Sequence, residues 1–161
     1  MTVEWSAKIR APFAMLGIRS DGRAITRLAY LPASESAQAP SDKVSEIAVR
    51  ELARYLEDPA FRFSVPLATG GTPFQQRVWA ALSGIPVGES RTYGEVARMV
   101  RSAPRAIGQA CGANRIALII PCHRVVGGRG ALGGFMHAAD GAPIDVKRWL
   151  LMHEGYRFGL F

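Results

Sequence analysis

A thiol, an imidazole and a guanidinium follow one another at Cys122, His123 and Arg124, at the end of a dense apolar run. A thiolate is a strong nucleophile, and a neighbouring base is the usual means by which proteins generate one. For the short motif alone the structural alternative is stronger, because free cysteine is among the most buried residue types. The residues around the motif must therefore decide between a nucleophile and a core cysteine.

The apolar run over 116–126 predicts a buried strand. Neighbouring side chains on a strand point to opposite sides, so we do not expect the Cys122 sulfur and the His123 ring to touch. A free thiol has a pKa of about 8.5, and attack on carbon needs the thiolate, so Cys122 requires a base. His123 is the candidate base, and one bridging water would connect it to the sulfur.

The second half of the chain is predicted to be mainly helical, with a helix-turn-helix at its centre. Thr92 and Glu95 have the spacing of a capping box, which starts the first helix of the pair. Pro104 suits the first turn of the second helix. A last helix after Pro143, carrying Val146, Trp149, Leu150 and His153, is predicted to end at Gly155.

The first half predicts a small sheet and one helix. Strands are expected over Val3–Ile9, Phe13–Ile18, Ile25–Tyr30 and Phe61–Leu67, with a helix capped by Ser41 before the last of them. The predicted fold class is therefore α+β. A sheet-plus-helix domain is expected over 1–70 and a mainly helical domain over 71–161.

Charge is distributed unevenly between these halves. Residues 1–70 hold 9 basic and 8 acidic side chains, whereas residues 71–161 hold 11 basic and 5 acidic ones. No acidic residue lies between Glu95 and Asp140, and that stretch contains Arg98, Arg101, Arg105, Arg115, Arg124 and Arg129. The alternative is an ordinary solvated basic face. Because the stretch also contains the reactive motif, a surface that binds DNA phosphates is the preferred interpretation.

Composition excludes several other classes. The N-terminus has no basic region followed by an apolar stretch, and no apolar run reaches the length of a transmembrane helix. The two cysteines, Cys111 and Cys122, are too few for a disulfide framework, and no metal-ligand spacing is present. We therefore expect a cytoplasmic protein with a reduced thiol, no metal and no cofactor.

Five ordered blocks around the reactive motif resemble the O6-alkylguanine-DNA alkyltransferase family, whose members move an alkyl group from guanine onto their own cysteine. The blocks are Thr72–Trp79, Gly88–Ala97, Arg105–Gly108, Asn114 and Lys147–Gly155, and they surround the motif Pro121–Val125. The resemblance covers more than half of the chain. It implies a ribonuclease H-like first domain and a winged-helix-like second domain. It also implies a single-use repair protein that acts on O6-alkylguanine, with O4-alkylthymine as a further candidate substrate.

The resemblance also implies roles for individual residues. Cys122 is the alkyl acceptor, His123 its base through a bridging water, and Glu154 the carboxylate that orients the imidazole. Tyr93 supplies a proton to the departing guanine, which would otherwise leave as an anion. Without the resemblance, Glu154 reads as a solvated helix-end carboxylate and Tyr93 as a core-edge aromatic.

DNA contacts are implied for the second helix of the pair. A stacked guanine must be flipped out of the duplex before its alkyl group is accessible. By resemblance Arg105 fills the vacated space, while Ala106 and Gly108 allow close approach to the minor groove of double-stranded DNA. Asn114 ties this helix to the reactive segment, with a helix cap as its structural alternative. Arg124 is expected to contact DNA, and a monomer is expected to suffice.

Two departures from the family pattern are visible. The turn over 100–104 is about two residues shorter than is common, which affects the height of Arg105. The substrate loop reads Gly134-Phe-Met-His137 where relatives commonly have Tyr-x-Gly-Gly. Phe135, Met136 and Val125 are the expected pocket residues, and Phe135 retains an aromatic face for stacking on the base.

Two other functions compete with alkyl transfer. Alkyltransferase-like proteins bind such lesions without accepting the group, but they carry Trp at the position of Cys122. A cysteine hydrolase would use Cys122 and His123, but it needs an oxyanion hole and a route for acyl release, and neither is visible in the sequence. Cys122 therefore favours the transferase.

Overall fold

The computed structural model describes residues 4–128, 132 and 142–156. By their contacts these residues belong to two compact units. One is Met1–Thr69 with Arg115–Ala117, and the other is Gly70–Asn114 with Leu118–Phe161. Arg115–Ala117 joins the first unit through backbone hydrogen bonds, from the Leu28 N–H to the Arg115 carbonyl at 2.9 Å and from the Ala117 N–H to the Leu28 carbonyl at 3.2 Å.

An antiparallel sheet and one helix form the first unit. The strands are β1 (Ala7–Arg10), β2 (Met15–Ser20) and β3 (Ile25–Leu31), paired in that order, and α1 spans Lys43–Glu57. Side chains that are fully or almost fully buried make its core: Ala7, Met15, Leu16, Ile18, Ile25, Leu28, Ala48, Leu52 and Tyr55. These apolar side chains hold α1 against the sheet.

Two predictions for this unit are wrong. Phe61–Leu67 is not a strand, and its only pairing is a single bridge between Ile25 and Leu67. Its aromatic side chains pack instead on α1, where the Phe63 ring lies 5.6 Å from that of Tyr55. The cap of α1 is Asp42 rather than Ser41, because the Asp42 carboxylate accepts a hydrogen bond from the Ser45 N–H at 2.7 Å.

Four α-helices, one turn of 3₁₀ helix and two short strands form the described part of the second unit. The elements are α2 (Pro73–Ser83), β4 (Arg91–Thr92), α3 (Tyr93–Val100), α4 (Pro104–Gly112), a 3₁₀ helix (Cys122–Arg124), β5 (Val125–Val126) and α5 (Ala142–His153). Strands β4 and β5 pair in parallel, with Arg91 opposite Val125. The chain is thus α+β, as predicted, while the ribonuclease H-like and winged-helix-like relationships stay predictions.

The α3–α4 pair begins as predicted and turns in an unusual way. The Thr92 hydroxyl accepts from the Glu95 N–H at 3.0 Å, and the Glu95 carboxylate accepts from the Thr92 N–H at 3.1 Å. Arg101 ends α3 in the left-handed conformation, at φ 57° and ψ 56°. Glycine is usual in this conformation, because a side chain is strained there. The left-handed backbone of Arg101 allows the short turn between α3 and α4 to reverse the chain direction.

Within the described residues, none of the helices has the length and apolar character needed to cross a bilayer. In the same part of the chain, no cluster of three or more His, Cys, Asp or Glu side chains has the arrangement of a metal site.

Candidate active site

The segment that carries Cys122 is buried, but it is not the strand that its composition predicts. Leu118 has φ 71°, and Cys122, His123 and Arg124 form one turn of 3₁₀ helix before β5 begins at Val125. The prediction that this run is buried is confirmed, because Ile116, Leu118 and Ile120 are at most 3 % exposed. An apolar run indicates that a segment is buried but does not specify its secondary structure. A buried series of turns can have the same composition as a buried strand.

Cys122 is 6 % exposed, and its sulfur has two polar neighbours. The Asn114 amide donates to it at 3.1 Å, and the sulfur lies 3.6 Å from the Cys111 carbonyl oxygen. The same amide nitrogen donates to the Ile120 carbonyl at 3.0 Å. Asn114 therefore connects the end of α4 with the reactive turn, and it also places an N–H where a thiolate would form.

Groups around Cys122 shift its pKa in opposite directions. The hydrogen-bonded Cys111 thiol and burial raise the pKa of Cys122 well above its ordinary value. The Asn114 amide and the Lys147 ammonium act to lower it. In the resting protein Cys122 is thus a neutral thiol, and it needs a base to become a nucleophile.

His123, Glu154 and Arg124 form one buried hydrogen-bonded group. His123 Nε2 lies 2.8 Å from Glu154 Oε2, and both side chains are 0 % exposed. Arg124 Nε donates to Glu154 Oε1 at 2.8 Å, and Arg124 Nη2 donates to Oε2 at 3.1 Å. Arg124 Nη1 donates to the Ile85 carbonyl at 2.7 Å. This bidentate geometry fixes the plane of the carboxylate that meets the imidazole.

This group determines the protonation of the imidazole. Burial lowers the pKa of His123, so the ring is neutral at neutral pH. Burial would raise the pKa of Glu154, but the His123 hydrogen bond and the Arg124 guanidinium lower it to about 2. An ionised Glu154 accepts the proton on His123 Nε2, which leaves a lone pair on Nδ1. Nδ1 is buried and has no hydrogen-bond partner among the described residues.

Tyr93 and Lys147 are two further titratable residues close enough to both cysteines to interact with them electrostatically. Burial, followed by the charges of Cys111 and Cys122, raises the pKa of Tyr93 to about 12, so the phenol keeps its proton. Lys147 is 0 % exposed, and its Nζ lies 5.8 Å from the centre of the Tyr93 ring. Burial lowers the pKa of Lys147 to about 8, although the charges of Cys111 and Cys122 act to raise it.

Local structure explains these positions. Tyr93 is the first residue of α3, directly after the Thr92 cap, and Glu154 follows the last residue of α5. Gly88, at φ 84°, lets the loop before β4 approach this helix end, since a Cβ there would lie 3.1 Å from the Glu154 carbonyl oxygen. The Trp79 indole donates to the Ala110 carbonyl at 2.9 Å, which fastens α4 to α2.

The residues predicted to contact DNA divide into two groups. Arg105 is exposed in the first turn of α4, and Ala106 is half-buried. Gly108 has no atom within 4 Å of an added Cβ, so its surface is open. Arg124 differs, because its side chain is 11 % exposed and all three guanidinium nitrogens donate within the protein. Its predicted DNA contact is therefore not supported.

The predicted substrate pocket is described only in part. Val125 lies in β5 and is 0 % exposed, backbone included, so its contact with a bound base stays a prediction. Phe135 and Met136 lie outside the described residues.

Sequence reasoning missed the burial of Lys147 in α5. Trp149 and His153, which this helix was predicted to carry, are half-buried, and their rings stack with centroids 4.8 Å apart. Lys147 is fully buried together with Leu150 and Leu151. A charged residue three and four positions before two core leucines was the available signal, because that spacing places it on the apolar face.

Comparison with known proteins shows the family to which the chain belongs. Residues 73–156 match the family model described as 6-O-methylguanine DNA methyltransferase, DNA binding domain. A methylated-DNA–protein-cysteine methyltransferase of Methanosarcina mazei is 38 % identical over 154 residues, covering 91 % of this chain and 94 % of the relative. The protein of the same name from Mycobacterium tuberculosis is 40 % identical over 155 residues, covering 92 % of this chain and 91 % of the relative.

Solved structures show the same similarity. The crystal structure of Mycobacterium tuberculosis OGT in complex with DNA superposes with a TM-score of 0.78 at 39 % identity, covering 91 % of this chain and 90 % of the other. An O6-methylguanine DNA methyltransferase from Methanococcus jannaschii gives a TM-score of 0.64 at 26 % identity, with 96 % of each chain covered.

Proposed function

Because the chain belongs to the 6-O-methylguanine DNA methyltransferase family and is thus a methylated-DNA–protein-cysteine methyltransferase, we propose that Cys122 is the acceptor. The alkyl group of O6-alkylguanine in DNA would move to its sulfur. One observation carries the proposal. The buried Cys122 sulfur accepts a hydrogen bond from the Asn114 amide at 3.1 Å, and the next residue, His123, is hydrogen-bonded to Glu154 at 2.8 Å.

The proposed transfer is a displacement at the alkyl carbon. The Cys122 sulfur forms the new S–C bond, the C–O6 bond breaks, and its electron pair stays on the guanine. A proton delivered to the guanine then avoids an anionic leaving group. Tyr93 is the proposed donor, since its raised pKa keeps the phenol protonated until the guanine acquires charge.

His123 is the proposed base for the Cys122 thiol. With Nε2–H directed at Glu154, the lone pair on Nδ1 is available to receive the thiol proton. We propose that a bridging water carries the proton, because the sulfur and the ring leave the 3₁₀ turn in different directions. The resulting imidazolium would be stabilised by the ionised Glu154 next to it.

Arg124 is proposed to position Glu154 rather than to bind DNA. Its two hydrogen bonds to the carboxylate, at 2.8 and 3.1 Å, hold the oxygen that meets His123 in one orientation. Its bond to the Ile85 carbonyl anchors the guanidinium in turn. The carboxylate thus stays ionised in a buried environment where a lone Glu would become neutral.

The proposed DNA surface consists of the exposed start of α4 and the turn before it. Arg98, Arg101 and Arg105 are all exposed, and arginines of this kind neutralise phosphates. Arg105 would enter the duplex where the flipped guanine had been, from the minor groove, while Ala106 and Gly108 allow close approach of α4. Phe135, Met136 and Val125 are the proposed pocket for the flipped base.

Each molecule is proposed to act once. A thioether sulfur is a poor leaving group, so alkylated Cys122 would not be regenerated. All of the proposed groups belong to one chain, so a monomer suffices. Because Cys122 must remain a thiol, a reducing compartment such as the cytoplasm is the proposed location.

The deciding experiment is intact mass after incubation with an excess of O6-methylguanine duplex. We expect a gain of one methyl group, about 14 Da, located on Cys122 and absent from Cys122→Ser, as a covalent intermediate on a nucleophile requires. Binding of the lesion without any mass gain would instead favour an alkyltransferase-like role. Several methyl transfers per molecule would refute the single-use proposal.

A further inference from the structure

Cys111 and Cys122 are the chain's two cysteines, and the fold brings them together. The Cys122 thiol donates to the Cys111 carbonyl oxygen at 3.6 Å. Cys111 lies in the last turn of α4, and Cys122 begins the 3₁₀ turn. The Cys122 sulfur thus lies beside the Cys111 backbone, and a bond between the two sulfurs requires their side chains to reach disulfide geometry.

The backbone around the pair is well fixed. The Asn114 amide holds both the Ile120 carbonyl and the Cys122 sulfur, so the segments that carry the cysteines are already connected. The ring closed by a bond between the two sulfurs spans 111–122. A short ring between pre-positioned ends costs little additional chain entropy. Nothing in alkyl transfer as proposed above uses the Cys111 thiol.

The two thiols differ in accessibility and in acidity. Cys111 is half-buried, whereas Cys122 is 6 % exposed. The hydrogen bond from Cys122, and then the Lys147 ammonium, lower the pKa of Cys111 against the effect of its burial. An oxidant from solution therefore reaches Cys111 first, and the lowered pKa of Cys111 favours the thiolate form that reacts with peroxides.

We propose that Cys111 and Cys122 form an oxidative modification site, at which a hydroperoxide converts the two thiols into a reversible intramolecular disulfide. The Cys111 thiolate attacks one peroxide oxygen, the O–O bond breaks, and Cys111 becomes a sulfenic acid while the leaving hydroxide takes up a proton. The Cys122 sulfur then attacks the Cys111 sulfur and the S–O bond breaks. Hydroxide leaves and, with the thiol proton, becomes water. The two sulfurs lose two electrons, and the peroxide gains them.

The consequence rests on the proposed function, because the disulfide occupies the sulfur that would accept the alkyl group. It also withholds that sulfur from further oxidation to sulfinic acid, which thiols do not reverse. A methylated Cys122 has no thiol to contribute, so a spent molecule could not form the bond. Only unused protein would be stored in this form.

The test compares the full-length protein with Cys111→Ser under hydrogen peroxide, with N-ethylmaleimide added to block remaining thiols. We expect the parent to lose about 2 Da, to take up no maleimide, and to recover two free thiols with dithiothreitol. Trypsin should release residues 106–115 linked to residues 116–124. Acceptance of methyl from methylated duplex should be lost on oxidation and regained on reduction.

Cys111→Ser supplies the contrast. It should form no linked peptide, and on longer exposure its Cys122 should gain about 32 Da as sulfinic acid, with no recovery in dithiothreitol. The inference is overturned if the parent gains oxygen without the linked peptide, if it forms only disulfides between molecules, or if Cys111→Ser recovers as fully as the parent. The linked peptide is independent of DNA, so it can form even if methyl acceptance fails.

Discussion

Replacing Glu154 by Gln tests the buried group that holds His123. The Glu154 side chain is 0 % exposed, and its carboxylate accepts from His123 and twice from Arg124. The substitution keeps the shape and removes the charge. The Arg124 cation then loses its buried counter-charge, which in other proteins destabilises the fold by about 3–5 kcal/mol.

The pKa of Glu154 gives an independent magnitude. It falls from its usual 4.5 to about 2, a shift that corresponds to roughly 3 kcal/mol of folding free energy. Because the pKa of the folded state is the lower one, this stability is present above pH 4.5 and is lost as the pH falls toward 2. His123 acts in the same direction, since its lowered pKa makes the unfolded state the better proton acceptor. The parent should therefore approach the Glu154→Gln variant in stability as the medium becomes acidic.

Urea unfolding followed by tryptophan fluorescence, at several pH values between 3 and 7, measures the difference in the free energy of unfolding. We expect about 3 kcal/mol at pH 7 and a much smaller gap at pH 3. Glu89→Gln, at a carboxylate that is 53 % exposed, is the matched control and should change little. A gap that is the same at both pH values would refute the electrostatic explanation and leave a loss of packing.

A double variant separates stability from chemistry. Arg124→Met together with Glu154→Gln removes the unpaired cation, so part of the lost stability should return. The rate of methyl transfer should stay low, because His123 no longer faces an ionised carboxylate. Recovery of the rate together with the stability would show that Glu154 has only a structural role.

Four further predictions concern the DNA surface, the buried lysine and Phe135. Arg101→Asn, which tolerates the left-handed conformation, should keep the fold and reduce the slope of log affinity against log salt by about 1, whereas an unchanged slope would place Arg101 away from phosphates. Arg105→Ala should slow repair in duplex far more than reaction with free O6-benzylguanine, and equal losses would rule out insertion into the stack. Lys147→Met should move the pH profile of Cys122 alkylation by iodoacetamide to higher pH, since the ammonium lowers the pKa of that thiol, and an unmoved profile would assign Lys147 another role. Phe135→Ala should slow methyl transfer about tenfold or more and Phe135→Tyr hardly at all, because stacking outweighs one hydroxyl. A parent-like rate in Phe135→Ala would mean that other residues hold the base.

Local signals in the sequence predicted the helix starts of the second unit well. Thr92 and Glu95 satisfy each other's backbone through contacts only three residues apart, so their pairing needs no knowledge of the rest of the fold. The reactive segment was different. Its apolar run predicts burial, but the left-handed turn at Leu118 depends on packing that no local pattern encodes.

Polar residues inside the core were the harder problem. Arg124 belongs to a stretch that is rich in arginine and has no acidic residue, and composition alone therefore predicts that it contacts DNA. Its partner Glu154 lies thirty residues later in the chain, so only the fold shows the 2.8 Å bond that occupies it. Lys147 reads as an ordinary helix residue until Leu150 and Leu151 place its side chain on the buried face.

These buried groups suit a reaction that separates charge. At rest Cys122 and His123 are both neutral, while Glu154 is balanced by Arg124. Moving the thiol proton to His123 would create an anion near the Lys147 ammonium and a cation beside Glu154. Each new charge would then meet an opposite charge that the fold already holds in place, so little reorganisation is needed when the proton moves. Burial keeps the Cys122 thiol protonated and therefore unreactive. Once the proton has left, the same burial strengthens the attraction between these fixed charges and the new ones, because little water screens them.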